Sequence, residues 1–105
     1  LWPEETKLIS TGIAISLPKD FVGLIWDRSS MGVKGVHRYA GVIDSGYRGE
    51  VKVCLHNASS DFYNINCGDR VAQLLIQEIP ILTLYEVEEL DSTDRGSGGF
   101  GSTGR

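Results

Sequence analysis

The sequence predicts an all-β domain, and three observations carry that reading. No segment keeps an apolar period of 3.6 residues for three turns, short runs of β-branched and aromatic residues recur at close intervals, and Gly, Pro, Asn and Asp separate them. Many short strands without crossover helices imply a sandwich, a jelly roll or a small barrel, with at most one short helix.

Taken in order, the predicted strands are residues 8–17 (LISTGIAISL), 21–26 (FVGLIW), 41–43, 50–56 (EVKVCLH), 62–65, 70–78 (RVAQLLIQE) and 81–87. In the fourth, Val51, Val53 and Leu55 share one face while Glu50, Lys52 and Cys54 share the other, the pattern of a half-buried sheet. Turn-forming clusters fall at Pro18-Lys19-Asp20, Asn57-Ala58-Ser59-Ser60 and Asn66-Cys67-Gly68-Asp69. Only residues 29–35 suit a short helix, with Ser29 or Ser30 as its cap. The sequence shows neither an internal repeat nor a domain linker. Residues 1–94 form the predicted domain and residues 95–105 a glycine-rich C-terminal arm.

With 105 residues and a net charge of −4, the chain suits one compact domain and argues against general nucleic-acid binding, which needs a basic surplus. The charge is uneven: residues 27–52 hold five cations (Arg28, Lys34, Arg38, Arg48, Lys52) against three acids, whereas residues 86–94 hold five acids. A compact polyanion suits the first stretch. The apolar runs are too short to span a membrane and no signal-peptide pattern opens the chain, so an intracellular protein is expected. Cys54 and Cys67 are too few for a disulfide framework and lack metal-ligand spacing; both are expected as free thiols, Cys54 in a strand. Asn57-Ala58-Ser59 matches a glycosylation sequon that matters only in a secreted protein.

Four segments suggest chemistry. DRSSMG (27–32) leaves a strand and opens the helix candidate, where Ser29 and Ser30 can meet an anion and Arg28 can grip it bidentately; an ordinary capped turn is equally compatible. AGVIDSGYRGEV (40–51) reads as a hairpin with Asp44 and Tyr47 near its tip. Its carboxylate can orient and deprotonate water, or merely satisfy turn N–H groups. GDRVAQLLI (68–76) is a turn feeding an apolar strand interrupted by Gln73, which faces outward or is hydrogen-bonded inside. RGSGGFGSTGR (95–105) holds five of the 13 glycines and cannot form a core. Alone it is a flexible tail; beside other phosphate-seeking segments it is an anion-binding nest.

Together these segments resemble the trimeric deoxyuridine triphosphatase (dUTPase) family, matching in order the last four of its five motifs: RSSMG, GVIDSGYRGEV, GDRVAQLLI and RGSGGFGSTG. The family's first motif, an A-G-x-D-L-type segment with a magnesium-associated Asp, has no counterpart, so the sequence is expected to be a piece of a longer chain. The resemblance implies a distorted jelly-roll or β-barrel fold (a β-clip) in a homotrimer with sites at subunit interfaces. The implied activity is hydrolysis of dUTP to dUMP and diphosphate by water attack on the α-phosphorus, which limits uracil in DNA and supplies dUMP for thymidylate. Asp44 aligns with the water-activating carboxylate, and Tyr47 with the residue under the deoxyribose that excludes a 2′-hydroxyl. Gly41, Val42, Ile43 and Asp44 match the uracil-reading hairpin. Arg28, Ser29 and Ser30 match the phosphate-contacting second motif, and Gln73 the glutamine near phosphate and water. Arg95 aligns with the γ-phosphate ligand, Phe100 with the lid over uracil, and Gly101, Ser102 and Thr103 with the phosphate-cradling arm. Arg38 stands where some members carry a base-reading Asn and receives no base contact. Mg²⁺ is the implied cofactor, held through phosphates and waters rather than by direct ligands from this chain. A cytoplasmic or nuclear location is implied, in a cell or a virus-infected cell.

Two other readings compete. The homologous dCTP deaminases share the fold and an RSS…IDxG layout, but carry a catalytic Glu about where this chain has Cys54 and lack the GGFGSTG arm. A non-catalytic binding module on the same scaffold is supported only by the missing first motif. A serine hydrolase is disfavoured, since His37 and His56 lack a discernible nucleophile or acid partner.

Overall fold

The computed structural model describes residues 1–99. Its elements are β1 (Thr6–Ala14), β2 (Phe21–Trp26), α1 (Ser29–Val33), β3 (Val36–Tyr39), β4 (Val42–Ile43), β5 (Glu50–Asn57) and β6 (Gln73–Glu78). They form two three-stranded antiparallel sheets, ordered β1-β5-β3 and β4-β2-β6. The all-β expectation with one short helix is met.

The alternation in β5 explains how the sheets stack. Val51, Val53, Leu55 and Asn57 are buried, whereas Lys52 is exposed. The three apolar side chains meet Ile25 from β2, Ile43 from β4, Met31 from α1 and Val36 from β3 in one core. Full burial of each large aliphatic contributes about 1.5–3 kcal/mol. Asn57 is the polar member of this interior, at 0% exposure. Its amide nitrogen donates to the carbonyls of Leu1 (3.1 Å) and Asp61 (2.8 Å), and its oxygen accepts from the Ser59 N–H (3.0 Å) and hydroxyl (2.7 Å). The side chain of the sequon is thereby consumed inside the fold.

Several predicted boundaries are corrected. Strand β3 falls in a stretch read as a connection: VHRY is short and mixed in polarity, and its pairing with β5, from Val36 opposite Asn57 to Tyr39 opposite Cys54, makes it a strand. The helix stops at Val33, with Gly35 at φ +81° in the turn beyond. Arg28, not a serine, occupies its N-cap position, and no side chain caps it. Strand β1 begins two residues earlier than predicted and ends at Ala14, with its register shifting between Ser10 and Ala14. Strand β6 begins at Gln73 rather than residue 70.

The predicted strands 62–65 and 81–87 are not strands here. Residues 62–65 run as irregular chain tied to the start of the chain, with the Tyr63 N–H donating to the Leu1 carbonyl at 2.8 Å. Residues 81–87 find no partner strand among the described residues. Without a ladder their alternation has nothing to bind. Cys54 and Cys67 are free, as expected. Among the described residues no helix is long and apolar enough to cross a membrane.

The chain alone is not compact. Its radius of gyration is 18.7 Å, against about 13 Å for a globular domain of this length. Its accessible surface is 8378 Å², against about 5,800 Å² for a compact monomer of this mass. The excess lies partly in Ile81, Leu82, Leu84, Tyr85, Val87 and Leu90, all 56–93% exposed. A gap of about 860 Å³ also remains between the sheets, lined by apolar residues such as Ile9, Val51 and Leu74 and by polar ones such as Lys7, Asp69 and Arg70.

Replacing Asn57 by Ala removes four hydrogen bonds from the interior and leaves the Ser59 N–H without an acceptor. It should cost about 3 kcal/mol by chemical denaturation, well above a surface Asn→Ala control.

Candidate active site

The site begins where β2 leaves its sheet. Trp26 pairs with Gln73, so the chain emerging from β2 lies beside the first residue of β6. The Gln73 amide donates to the Asp27 carbonyl at 2.7 Å. The Asp27 carboxylate accepts the Arg38 backbone N–H at 2.8 Å, and Arg28 reaches the Arg70 carbonyl at 3.4 Å. Ser29 and Ser30 follow at the exposed start of α1. Arg28, Ser29, Ser30 and Gln73 thus form one polar cluster. Gln73 is exposed, like the rest of β6, and is hydrogen-bonded through its amide.

A second cluster lies on the other edge of β2. The Ile25 N–H donates to the Gly41 carbonyl at 2.8 Å, and Ile43 pairs with Gly23. Gly41 has φ +120°, and a Cβ there would stand 2.9 Å from the Ile25 carbonyl oxygen, so both space and backbone conformation require glycine. Beyond β4 the turn is self-supporting. Tyr47 N–H donates to the Asp44 carbonyl at 3.1 Å, Arg48 to the Ser45 carbonyl at 2.7 Å, and the Tyr47 hydroxyl to the Glu50 carbonyl at 2.7 Å. The Asp44 carboxylate is exposed and accepts no hydrogen bond from the described residues. Backbone groups and Arg48 support the turn, which leaves the carboxylate available for an acid–base role. Gly41, Val42, Ile43, Asp44 and Tyr47 line a cavity of about 220 Å³.

The two clusters do not meet within one chain. Strands β4 and β6 flank β2 on opposite edges. Asp44 follows Ile43, so in register it stands at the level of Val22, while Gln73 stands at Trp26. Four residues along the strand and two strand spacings across it put their backbones about 16 Å apart. Arg95 joins neither cluster: its guanidinium donates to the carbonyls of Gly98 (2.6 Å) and Gly99 (3.4 Å) in its own turn. Phe100, Gly101, Ser102 and Thr103 lie outside the described residues.

Sequence reasoning passed over Asp27, which binds both β3 and β6. Its carboxyl immediately before Arg-Ser-Ser was the available signal. His37 and His56 belong to β3 and β5, where they pack edge to face at 5.6 Å. His56 Nδ1 bonds Thr6 Oγ1 at 2.8 Å and its Nε2 lies 3.4 Å from Glu4. Among the described residues no three His, Cys, Asp or Glu side chains gather closely enough to hold a metal ion.

Comparison with known proteins places this geometry. A family model described as dUTPase matches residues 1–104. The deoxyuridine 5′-triphosphate nucleotidohydrolase of cowpox virus (strain GRI-90 / Grishak) is 50% identical over 102 residues, which is 97% of this chain and 69% of that protein. The protein of the same name from vaccinia virus (strain Copenhagen) is 49% identical over 102 residues, with the same coverage of 97% and 69%. Among solved structures, a point mutant of the Staphylococcus bacteriophage 80alpha dUTPase with dUpNHpp superposes with a TM-score of 0.90 at 30% identity, covering all of this chain and 79% of that one. A point mutant of the dUTPase from phage phi11 of S. aureus, described as coordinating a structural Mg(II) ion, gives 0.77 at 29% identity, covering 88% of this chain and 78% of that one.

Gly41→Ala should destabilise the protein by more than about 1 kcal/mol and lower the thermal midpoint by about 4 °C or more. Gly46→Ala, where an added Cβ meets nothing within 4 Å, is the matched control.

Proposed function

The chain belongs to the dUTPase family, and on that premise we propose that it hydrolyses dUTP to dUMP and diphosphate, with Asp44 as the base. The observation that carries this reading is the Asp44 carboxylate, exposed at the hairpin turn and not consumed by it, beside Tyr47 and the hairpin cavity. A water held by Asp44 attacks the α-phosphorus and transfers its proton to the carboxylate. The bond from that phosphorus to the bridging oxygen breaks, and diphosphate leaves.

Each remaining residue has a task suited to its place. β4 is an edge strand, so the hairpin of Gly41, Val42 and Ile43 offers unpaired backbone groups to the uracil edge. Tyr47, held by its hydroxyl to Glu50, presents a ring under the deoxyribose. Arg28, Ser29 and Ser30 bind phosphate oxygens, and Gln73 orients phosphate and water beside them. Arg95 takes the γ-phosphate, Phe100 covers the base, and Gly101, Ser102 and Thr103 cradle the phosphates. Residues 95–105 act as an arm closing over a site built on residues 1–94, excluding water and strengthening each charge contact. Mg²⁺ would be carried by the triphosphate and its waters, where it would supply charge compensation.

The site is composite, in a homotrimer. Support comes from the separation of Asp44 and Gln73 on opposite edges of β2, since a hairpin from one subunit and a phosphate cluster from another complete the set. The uncovered apolar stretch around residues 81–90 and the open gap between the sheets provide surface for such an assembly.

Asp44→Asn should lower kcat about a thousandfold while dUTP still binds. Co-refolding Asp44→Asn chains with Gln73→Ala chains should recover turnover that neither shows alone; no recovery in mixed trimers overturns the shared site. Removing residues 95–105 should abolish hydrolysis and leave the oligomer intact. Ammonia released from dCTP by the unmodified protein would replace this function with deamination.

A further inference from the structure

The residue before the phosphate cluster is tied down more thoroughly than an exposed turn requires. Asp27 is half-buried. Its carboxylate accepts the Arg38 N–H from β3 at 2.8 Å, and its carbonyl accepts the Gln73 amide from β6 at 2.7 Å. It makes no ion pair with a lysine or arginine among the described residues, so its Oδ1 serves there as a hydrogen-bond acceptor. The Arg38 guanidinium lies 4.7 Å from the centre of the Trp26 ring, and the Arg38 Nε is buried without a partner. Trp26 and Asp27 are therefore clasped by β3 on one side and by the first residue of β6 on the other.

We propose that Asp27 is a positioning residue for phosphate binding: it holds the turn carrying Arg28, Ser29 and Ser30 at a fixed place relative to β3 and the Gln73 amide. This inference rests on the dUTP reading of the same cluster. The physical reason is that Ser29 and Ser30 begin a five-residue helix without a side-chain cap, too short to hold its own orientation. The constraint has to come from outside, and the acceptors of Asp27 link that turn to two neighbouring strands. Loss of the carboxylate frees the Arg38 N–H and lets the turn move relative to β3, with the Gln73 amide on the Asp27 carbonyl as its one remaining tie of the two. The hairpin of Gly41 to Asp44, bound independently to Ile25 and Gly23, is left in place.

The test compares Asp27→Ala with Asp27→Asn, whose amide oxygen can accept the same N–H. Three quantities are read: steady-state hydrolysis of MgdUTP, calorimetric binding of inorganic tripolyphosphate, and calorimetric binding of deoxyuridine. Asp27→Ala should lower kcat/KM about tenfold and weaken tripolyphosphate by a similar factor, leaving deoxyuridine unchanged; Asp27→Asn should stay within about twofold of the unmodified protein in all three. Unaltered tripolyphosphate binding in Asp27→Ala, equal weakening of both ligands, or an Asp27→Asn variant as impaired as Asp27→Ala would each overturn the proposal. If Asp27→Ala does not fold, Asp27→Leu, similar in shape and without an acceptor, takes its place. Absence of dUTP turnover in the unmodified protein would refute the proposed function, whereas the tripolyphosphate comparison judges the role of Asp27 without turnover.

Discussion

The pairing of β2 on both of its edges is the constraint on which the rest of the structure depends. On one edge, Gly23 and Leu24 pair with the two residues of β4 and set the height of the Asp44 turn. On the other, all six residues of β2 pair with β6, so Gln73 starts where Trp26 ends. A Cβ at Gly23 would come within 3.2 Å of the Ile43 Cβ and 3.4 Å of Leu74, which explains how both neighbours approach so closely. Slipping either register by one residue turns the paired side chains to the opposite face. Asp44 or Gln73 would then leave its cluster.

That same central strand separates the chemistry. The Asp44 carboxylate and the cluster of Arg28, Ser29, Ser30 and Gln73 stand on opposite edges, about 16 Å apart by strand geometry. Contacts other than any to the Asp44 carboxylate hold the hairpin, so among the described residues that carboxylate is left without a hydrogen-bond donor. The proposed trimer is supported by this separation together with the chain's open shape. Its excess surface is apolar where the chain runs beyond β6, and uncovered apolar surface of that extent marks an association face.

The legibility of the parts follows their locality. The alternation of β5 was readable because burial repeats there every second residue, and β2 was readable from its continuous apolar run; the structure places both with little change. Strand β3 was not readable, because four residues of mixed polarity carry no period and became a strand only through β5. Residues 81–87 have the composition of a strand and lack a partner among the described residues, which composition does not reveal. The serines expected to cap α1 sit inside it, with Arg28 at the N-cap position and the preceding Asp27 bound to Gln73 and Arg38, contacts that no local pattern announces.

Alone, the sequence determined the all-β class, the order of the chemical segments and the residue types that suit a triphosphate and a water. These are properties of residue type and local spacing, and they persist whatever the strands pair with. Tertiary structure alone decided which segments meet: Arg28, Ser29 and Ser30 with Gln73, the hairpin apart from them, and Asp27 as the tie between strands. Such contacts join positions as far apart as Asp27 and Gln73 and are set by sheet register. No local pattern in the chain encodes which edge of β2 each segment occupies.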